Sequence, residues 1–77
     1  MLNILAKLSL FSLDRIVLDY IKTNPGSRLF QIDNDTLQSH HNWGAKHIVE
    51  RLEEQGRITV IRHKWGQKIA PRYFALV

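Results

Sequence analysis

The stretch AKHIVERLEEQGRITV, residues 45 to 60, changes its hydrophobic period at a single glycine, Gly56. After this glycine the run RITVIRH, residues 57 to 63, alternates with a period of two and predicts a β-strand. Before it, apolar residues recur at the spacing of an α-helix and would form one buried stripe: Ala45, Ile48, Val49 and Leu52. We therefore predict a helix that ends at Gly56, where the chain turns into a strand. Asn42 or Ser39 is suited to cap the start of this helix.

A β-hairpin is predicted after the glycine. The segment IAPRYFALV, residues 69 to 77, has the composition of a second strand. The connecting KWGQK, residues 64 to 68, supplies a glycine for a tight turn. Pro71 has no N–H to donate, so the second strand must lie at a sheet edge or begin near this residue.

Charge is distributed unevenly along the 77 residues, whose net charge is +4. All seven acidic residues lie before residue 55, and residues 1 to 54 have a net charge of −1. Residues 55 to 77 have no acidic residue and five cations, which are Arg57, Arg62, Lys64, Lys68 and Arg72. Such a field predicts a polyanionic partner. Nucleic acid is favoured over a membrane because the cations lie in strand-like sequence and not on an amphipathic helix.

The chain before residue 39 predicts a helix, a short strand and a second helix. Ser12 is suited to cap the first helix, which NPG at residues 24 to 26 would end. The segment SRLFQI, residues 27 to 32, predicts a single edge strand. Asp33 or Asn34 would then cap a short second helix that contains Leu37.

The apolar start of the chain fits neither a signal peptide nor a membrane anchor. Lys7 interrupts it, no basic segment precedes it, and the stretch is too short to span a bilayer. We expect residues 1 to 11 to form an apolar N-terminal extension that pairs two copies of the chain. The spacing of its apolar residues fits a further amphipathic helix. The apolar residues available for this homodimer are Leu2, Ile4, Leu5, Leu8 and Phe11.

This order of elements resembles the winged helix-turn-helix superfamily, from about residue 13 to the end. AKHIVERLEEQGRITV resembles the join between its recognition helix and its β-hairpin wing. The motif is shared by MarR-like and small viral, plasmid and archaeal regulators, so it indicates a fold and no single family. The resemblance implies an α+β domain over residues 12 to 77 that has three helices, a short strand and a two-stranded wing. SHHNWG, residues 39 to 44, departs from the small-residue turn that the superfamily usually has there.

The resemblance implies that the third helix enters the major groove of DNA by its N-terminal half. With the apolar stripe facing inward, its outward residues would be Asn42, Trp43, Lys46 and His47. Asparagine and lysine are among the residues that read adenine and guanine edges. Trp43 has a second interpretation, as a core residue at the corner between the second and third helices.

The same resemblance implies that the wing lies on the DNA backbone, where the five cations of residues 55 to 77 would neutralise phosphates. His63 lies beside them at the turn, and Trp65 would contact the sugar edge. Two other interpretations of Trp65 remain open. It could fold back on the sheet, or it could anchor a protein partner.

Metal and catalytic chemistry have little support. His40 and His41 are adjacent, and adjacent histidines on a turn seldom bind one tetrahedral ion together. The chain also has no cysteine. Asp33 and Asp35 could form an acid–base group with these histidines, but caps and turns explain them better. We therefore expect that the protein is not an enzyme and that it uses no metal, no cofactor and no small-molecule substrate.

The sequence thus predicts a small transcriptional regulator that binds specific sites on double-stranded DNA as a homodimer. The alternatives are a winged helix that binds protein and the DNA-binding domain of a replication initiator. Absence of cysteine favours an intracellular, cytoplasmic protein. It would be associated with the nucleoid in a cell, or with the host cytoplasm in the case of a virus.

Overall fold

Three helices and a C-terminal hairpin make up the computed structural model, which describes the backbone of residues 2 to 77 and the side chains of residues 13 to 77. The helices are α1 (Leu2–Thr23), α2 (Leu29–Asp35) and α3 (Trp43–Glu54), and a 3-10 turn, His40–Asn42, precedes α3. The strands β1 (Ile58–Trp65) and β2 (Lys68–Ala75) form one antiparallel sheet. The α+β class, with three helices before a hairpin, is confirmed.

Helix α1 runs through Ser12 without interruption, so the predicted helix start at this residue is wrong. No glycine or proline lies between residues 2 and 23, and a serine within a helix costs only a fraction of a kcal/mol, about 0.5. The predicted division between residues 11 and 12 is therefore not a break in the backbone. The side chains proposed for dimerisation, Leu2, Ile4, Leu5, Leu8 and Phe11, lie outside the described side chains.

The strand predicted for residues 27 to 32 is wrong beyond its first residue. Ser27 forms an isolated antiparallel bridge with Tyr73, whose N–H donates to the Ser27 carbonyl at 3.0 Å. Helix α2 begins at Leu29, because Arg28 has an extended backbone and its N–H donates to the side chain of Gln31 at 3.0 Å, as in a capping box. The Ile32 side chain is completely buried in the core. It follows Leu29 by three residues, which is the spacing of a helix, so its burial favours the helix over the predicted strand.

The predicted second helix around Leu37 is also displaced. Asp33 and Asn34, the predicted caps, lie inside α2, and the helix ends before Leu37. Gln38 has a positive φ of 52°, which a helix cannot accommodate.

Helix α3 ends as the sequence predicts. Gly56 has a φ of +72°, and its N–H donates to the carbonyl of Glu53 at 3.0 Å. The N–H of Arg57 donates to the carbonyl of Leu52 at 2.9 Å. These two bonds form a Schellman motif, which satisfies the last carbonyls of α3 and directs the chain into β1.

One apolar core joins the helices to the hairpin. The Arg51 guanidinium also donates to both carboxylate oxygens of Asp14, at 3.0 and 3.1 Å, and so ties α3 to α1. The predicted stripe of α3 is buried as expected. The buried apolar side chains are Val17, Leu18, Ile21, Ile32, Ala45, Ile48, Val49, Leu52, Ile58 and Tyr73.

The pairing register of the hairpin defines two faces. Trp65 pairs with Lys68, so Gly66 and Gln67 form a two-residue turn, and Gly66 has the positive φ (59°) that such a turn requires. Directly paired residues share a face, and the face alternates along each strand. The inner face, continuous with the core, has the pairs Val60–Tyr73, Arg62–Pro71 and Lys64–Ile69. The outer face has the pairs Ile61–Arg72, His63–Ala70 and Trp65–Lys68.

Candidate functional site

Helix α3 presents a polar and aromatic surface opposite its buried stripe. Trp43, Lys46 and His47 are all exposed, and we call these three residues the α3 patch. The Trp43 and His47 rings stack with centroids 5.8 Å apart, and the Lys46 Nζ lies 5.2 Å from the Trp43 ring centroid. Trp43 is 54% exposed, so its interpretation as a core residue is wrong. Its position three and four residues before the other two places all three on the same helix surface.

The start of α3 is held by a buried carboxylate from α2. Asp33, only 2% exposed, accepts hydrogen bonds from the Ser39 N–H at 2.8 Å, from the Ser39 hydroxyl, and from the Ala45 N–H at 3.3 Å. The Ser39 hydroxyl oxygen in turn accepts from the Gly44 N–H at 2.9 Å. Of the two predicted caps, Ser39 is therefore the one whose side chain serves α3. These bonds satisfy the N–H groups of Gly44 and Ala45, two of the groups at the start of α3 that have no carbonyl partner within the helix.

Sequence reasoning missed this anchor and the close packing beside it. A Cβ atom on Gly44 would lie 3.0 Å from the Leu37 side chain and 3.1 Å from the Ser39 hydroxyl, so a larger residue here would require these side chains to shift by a few tenths of an ångström. The only local signals are the aspartate and serine themselves, which also occur in ordinary turns. Their pairing spans six residues and is visible only once the chain is folded.

Asn42 lies at the N-terminal boundary of α3 in the left-handed region, with a φ of 62°. His41 before it has a φ of 50°. Asparagine and histidine adopt this region more readily than most residues, and such conformations persist where surrounding contacts hold them. The half-buried Asn42 side chain borders a groove of about 320 Å³ with Phe30 of α2 and Ile69 of the hairpin.

A second groove, of about 210 Å³, separates α3 from the inner face of the hairpin. Lys46 and Arg62 line it together with Glu50 and Glu53, so its charges are mixed. Burial raises the pKa of the Tyr73 phenol at this groove; Arg62 opposes the shift, and Glu53 and Glu50 add to it. The two glutamates follow Lys46 along α3, which leaves the N-terminal end of the helix free of acidic side chains.

The outer face of the hairpin is exposed near its turn. Trp65 is 72% exposed, so the interpretation in which it folds back on the sheet is wrong. His63 and Lys68, on the same face, are also exposed. Lys64 is exposed as well but belongs to the inner face. The two lysines that flank the turn therefore point to opposite sides of the hairpin.

Two of the predicted cations are separated from this group. Arg72 is half-buried, and its Nη1 donates to the Gly26 carbonyl at 3.1 Å, so it holds the loop after α1. Arg57 is exposed but precedes β1, beside Asp14 and Asp19 of α1. Eight residues of β1 at about 3.3 Å each separate it from the turn by roughly 26 Å.

The remaining candidates have structural partners. The Tyr20 hydroxyl donates to the Asp35 carboxylate at 2.6 Å, and this hydrogen bond raises the pKa of Tyr20. With Asp33 holding α3, neither aspartate is placed as a free acid or base. The His40 and His41 rings contact each other, with centroids 3.9 Å apart. Over residues 13 to 77, no three side chains of the metal-binding types cluster.

Two further observations bear on what the chain does. No helix in the part of the chain that the structure describes is long and apolar enough to cross a membrane. The chain matches no protein-family model, no curated protein sequence and no solved structure. Its function is therefore inferred from the α3 patch and the hairpin.

Proposed function

We propose that the chain is a winged helix-turn-helix transcriptional regulator that binds specific sites on double-stranded DNA. Helix α3 enters the major groove and the hairpin lies on the sugar-phosphate backbone. The observation that carries this proposal is the α3 patch: three exposed side chains able to bond or stack, beside a hairpin that has no acidic residue and three exposed cations, Arg62, Lys64 and Lys68. No cofactor and no catalytic step is part of it.

The arrangement of elements supports the winged-helix assignment. The isolated Ser27–Tyr73 bridge adds one extended residue to β2. It occupies the chain position of the short strand that the superfamily has between its first two helices. Helix α2, the turn at residues 36 to 42 and α3 follow in the order that a helix-turn-helix requires, and the hairpin follows α3 directly.

The charges near α3 support a duplex partner. Lys46 of the α3 patch and Arg62 line the same groove, and Lys64 lies on the hairpin face that borders it. In the proposed complex Asn42 and Lys46 contact base edges while Arg62 and Lys64 contact phosphates. Glu50 and Glu53 lie toward the C-terminal end of α3, where the helix leaves the major groove.

Titration with random-sequence duplex at low and moderate salt tests the proposal. We expect binding that weakens steeply as salt increases, because each phosphate contact releases counterions. Absence of binding at micromolar protein at low salt would overturn the proposal. The exposed Trp43 and Trp65 would then be better explained as anchors for a protein partner.

Replacement of Lys46 by alanine separates base readout from simple attraction. We expect binding to a site selected from a random library to weaken by about 1 to 3 kcal/mol, and binding to random duplex to weaken much less. The matched control is Lys22→Ala, which removes an exposed lysine in the last turn of α1. Equal losses on both DNAs would reduce Lys46 to a positioning contact.

Deletion of residues 1 to 10 tests the proposed homodimer. The truncation shortens α1 but keeps Leu13 and Val17, the first α1 side chains of the described core. We expect sedimentation to show a dimer for the full chain and a folded monomer for the truncated one. Full-length protein with Leu5 and Leu8 changed to alanine should also be monomeric, because two of the side chains proposed to pair are removed. Alanine preserves the helix, so this variant tests the side chains without shortening α1. A dimer that survives both changes contradicts the pairing role.

A further inference from the structure

The outer face of the hairpin is not used by the proposed duplex complex. That complex employs α3 and the inner face, and successive residues of a strand point to opposite sides. Trp65, His63 and Lys68 therefore face away from the groove that Lys46 and Arg62 line. Yet Trp65, at 72% exposed, is the most exposed of the large apolar side chains that the structure describes.

The geometry of this face suits a flat ring. Trp65 and His63 are two residues apart on β1 and share the face, so their rings are carried roughly 7 Å apart along the strand. The residue paired with His63 is Ala70, so no bulky side chain lies opposite His63 on this face. Lys68, paired with Trp65, brings a cation to the same face as the indole.

The charge of the face identifies the class of occupant. Residues 55 to 77 contain no acidic residue, so the face has nothing to repel a phosphate chain. Exposed aromatic rings interleaved with cations are the combination that binds single-stranded nucleic acid, with bases stacked on the rings and the backbone held by charge. A paired base in a duplex is covered above and below by its neighbours and offers no free plane for such stacking.

We propose that the outer face binds an unpaired nucleic-acid strand, with a base stacked on Trp65 and the backbone held by Lys68 beside His63. The inference deepens the proposed function and rests on it for the duplex half of the target. The preferred DNA is then a duplex that continues into a single strand, with α3 on the duplex and the outer face on the unpaired bases.

The test compares three probes: a blunt duplex, the same duplex with an oligothymidine overhang, and oligothymidine alone. Trp65→Ala should weaken binding to the overhang probe and to oligothymidine by about 5- to 150-fold, the range for loss of one stacked base. Blunt-duplex binding should be unchanged. Trp65→Phe keeps an aromatic plane and should restore most of the loss.

Residues on the opposite face provide matched controls. Ile69 is 63% exposed and lies on the inner face, so Ile69→Ala should spare single-strand binding. Lys68→Ala should weaken binding to oligothymidine more than Lys64→Ala does. In a Trp43→Phe protein, Trp65 is the one remaining tryptophan, and oligothymidine should quench its fluorescence if a base stacks on it.

Each outcome separates this inference from the proposed function. Equal losses for Trp65→Ala on the blunt and overhang duplexes, with oligothymidine binding unchanged, would overturn it and make Trp65 a contact to the duplex sugar edge. No quenching and no loss on any probe would overturn it in favour of a protein anchor. Trp65-dependent binding of oligothymidine without binding of blunt duplex would support the single-strand site while refuting the duplex proposal.

Discussion

Replacing Asp33 by alanine will destabilise the fold by about 3 to 5 kcal/mol. The carboxylate is buried and accepts from the N–H groups of Ser39 and Ala45 and from the Ser39 hydroxyl. Alanine leaves these donors without a partner, and each unsatisfied buried donor costs about 1 to 3 kcal/mol. The free energy of unfolding measured in urea will report the loss.

The expected loss is comparable to the lower end of the stability of a chain this size, roughly 4 to 12 kcal/mol for 77 residues. Asp33→Asn keeps one acceptor oxygen and should cost less, about 1 to 3 kcal/mol, so it remains measurable if the alanine variant does not fold. Asp35→Ala is the matched control. It removes an exposed carboxylate that accepts two exposed hydrogen bonds, from the Tyr20 hydroxyl and from the Asn34 side-chain amide, and should cost about 1 kcal/mol. A loss at Asp33→Ala no greater than this control would refute the anchor.

The anchor also links stability to the proposed function. Asp33 joins α2 to the first turn of α3, where Trp43 and Lys46 begin the exposed patch. Asp33→Asn should therefore weaken binding to the selected DNA site under conditions where the protein is still folded. Asp35→Ala, which leaves the turn before α3 intact, should not.

Replacing both Arg62 and Lys64 by alanine will make the salt dependence of duplex binding shallower by roughly 1.8 units of log affinity per log salt. This value corresponds to two phosphate contacts at about 0.9 each. Both cations lie on the inner face, and neither is in an ion pair within the described residues. The ratio of wild-type to variant affinity should therefore change roughly 60-fold across a tenfold range of salt.

Two controls sharpen this experiment. Arg15→Ala with Lys22→Ala removes the same number of exposed cations from α1, and we expect little change in slope. Lys68→Ala removes a cation beside the turn on the outer face, and the slope on blunt duplex should again stay near the wild-type value. An unchanged slope for the Arg62 and Lys64 variant, with intact circular dichroism, would show that the inner face does not touch DNA.

Helix α3 and the hairpin could be predicted because their signals are local. The apolar stripe has four members at helical spacing, and Gly56 forms a Schellman motif using residues within the same turn. The two strands follow a period of two around a glycine turn. Each of these features depends on residues only a few positions apart, so the sequence contains the information directly.

The segment at residues 27 to 32 shows where local signals are insufficient. Six residues fit both periods, because Leu29 and Ile32 have helical spacing while the segment also alternates. Burial of Ile32 in the core and the Arg28–Gln31 capping contact favour the helix. Only Ser27 reaches β2, since the chain turns into α2 immediately afterward.

The candidate site divides in the same way. The residue types and their net charge were available from the sequence, and so was the outward position of Lys46 and His47 on α3. Whether Trp43 was core or surface was not, because it depends on what packs against the corner between α2 and α3. The sequence also left undetermined which face of the hairpin Lys64 and Lys68 occupy, since a shift of one residue in the strand pairing would exchange the two faces.

By itself, then, the sequence determined α3, its glycine end, the hairpin and the acid-free charge of the C-terminal third, all products of short-range spacing and composition. The tertiary structure alone decided which cations are available. Arg72 is bound to the Gly26 carbonyl across 46 residues, while Arg62 remains exposed. It also decided that Asp33 orients α3 through partners six and twelve residues away. Such contacts form only after folding has brought distant segments together, and so no periodic pattern in the sequence records them.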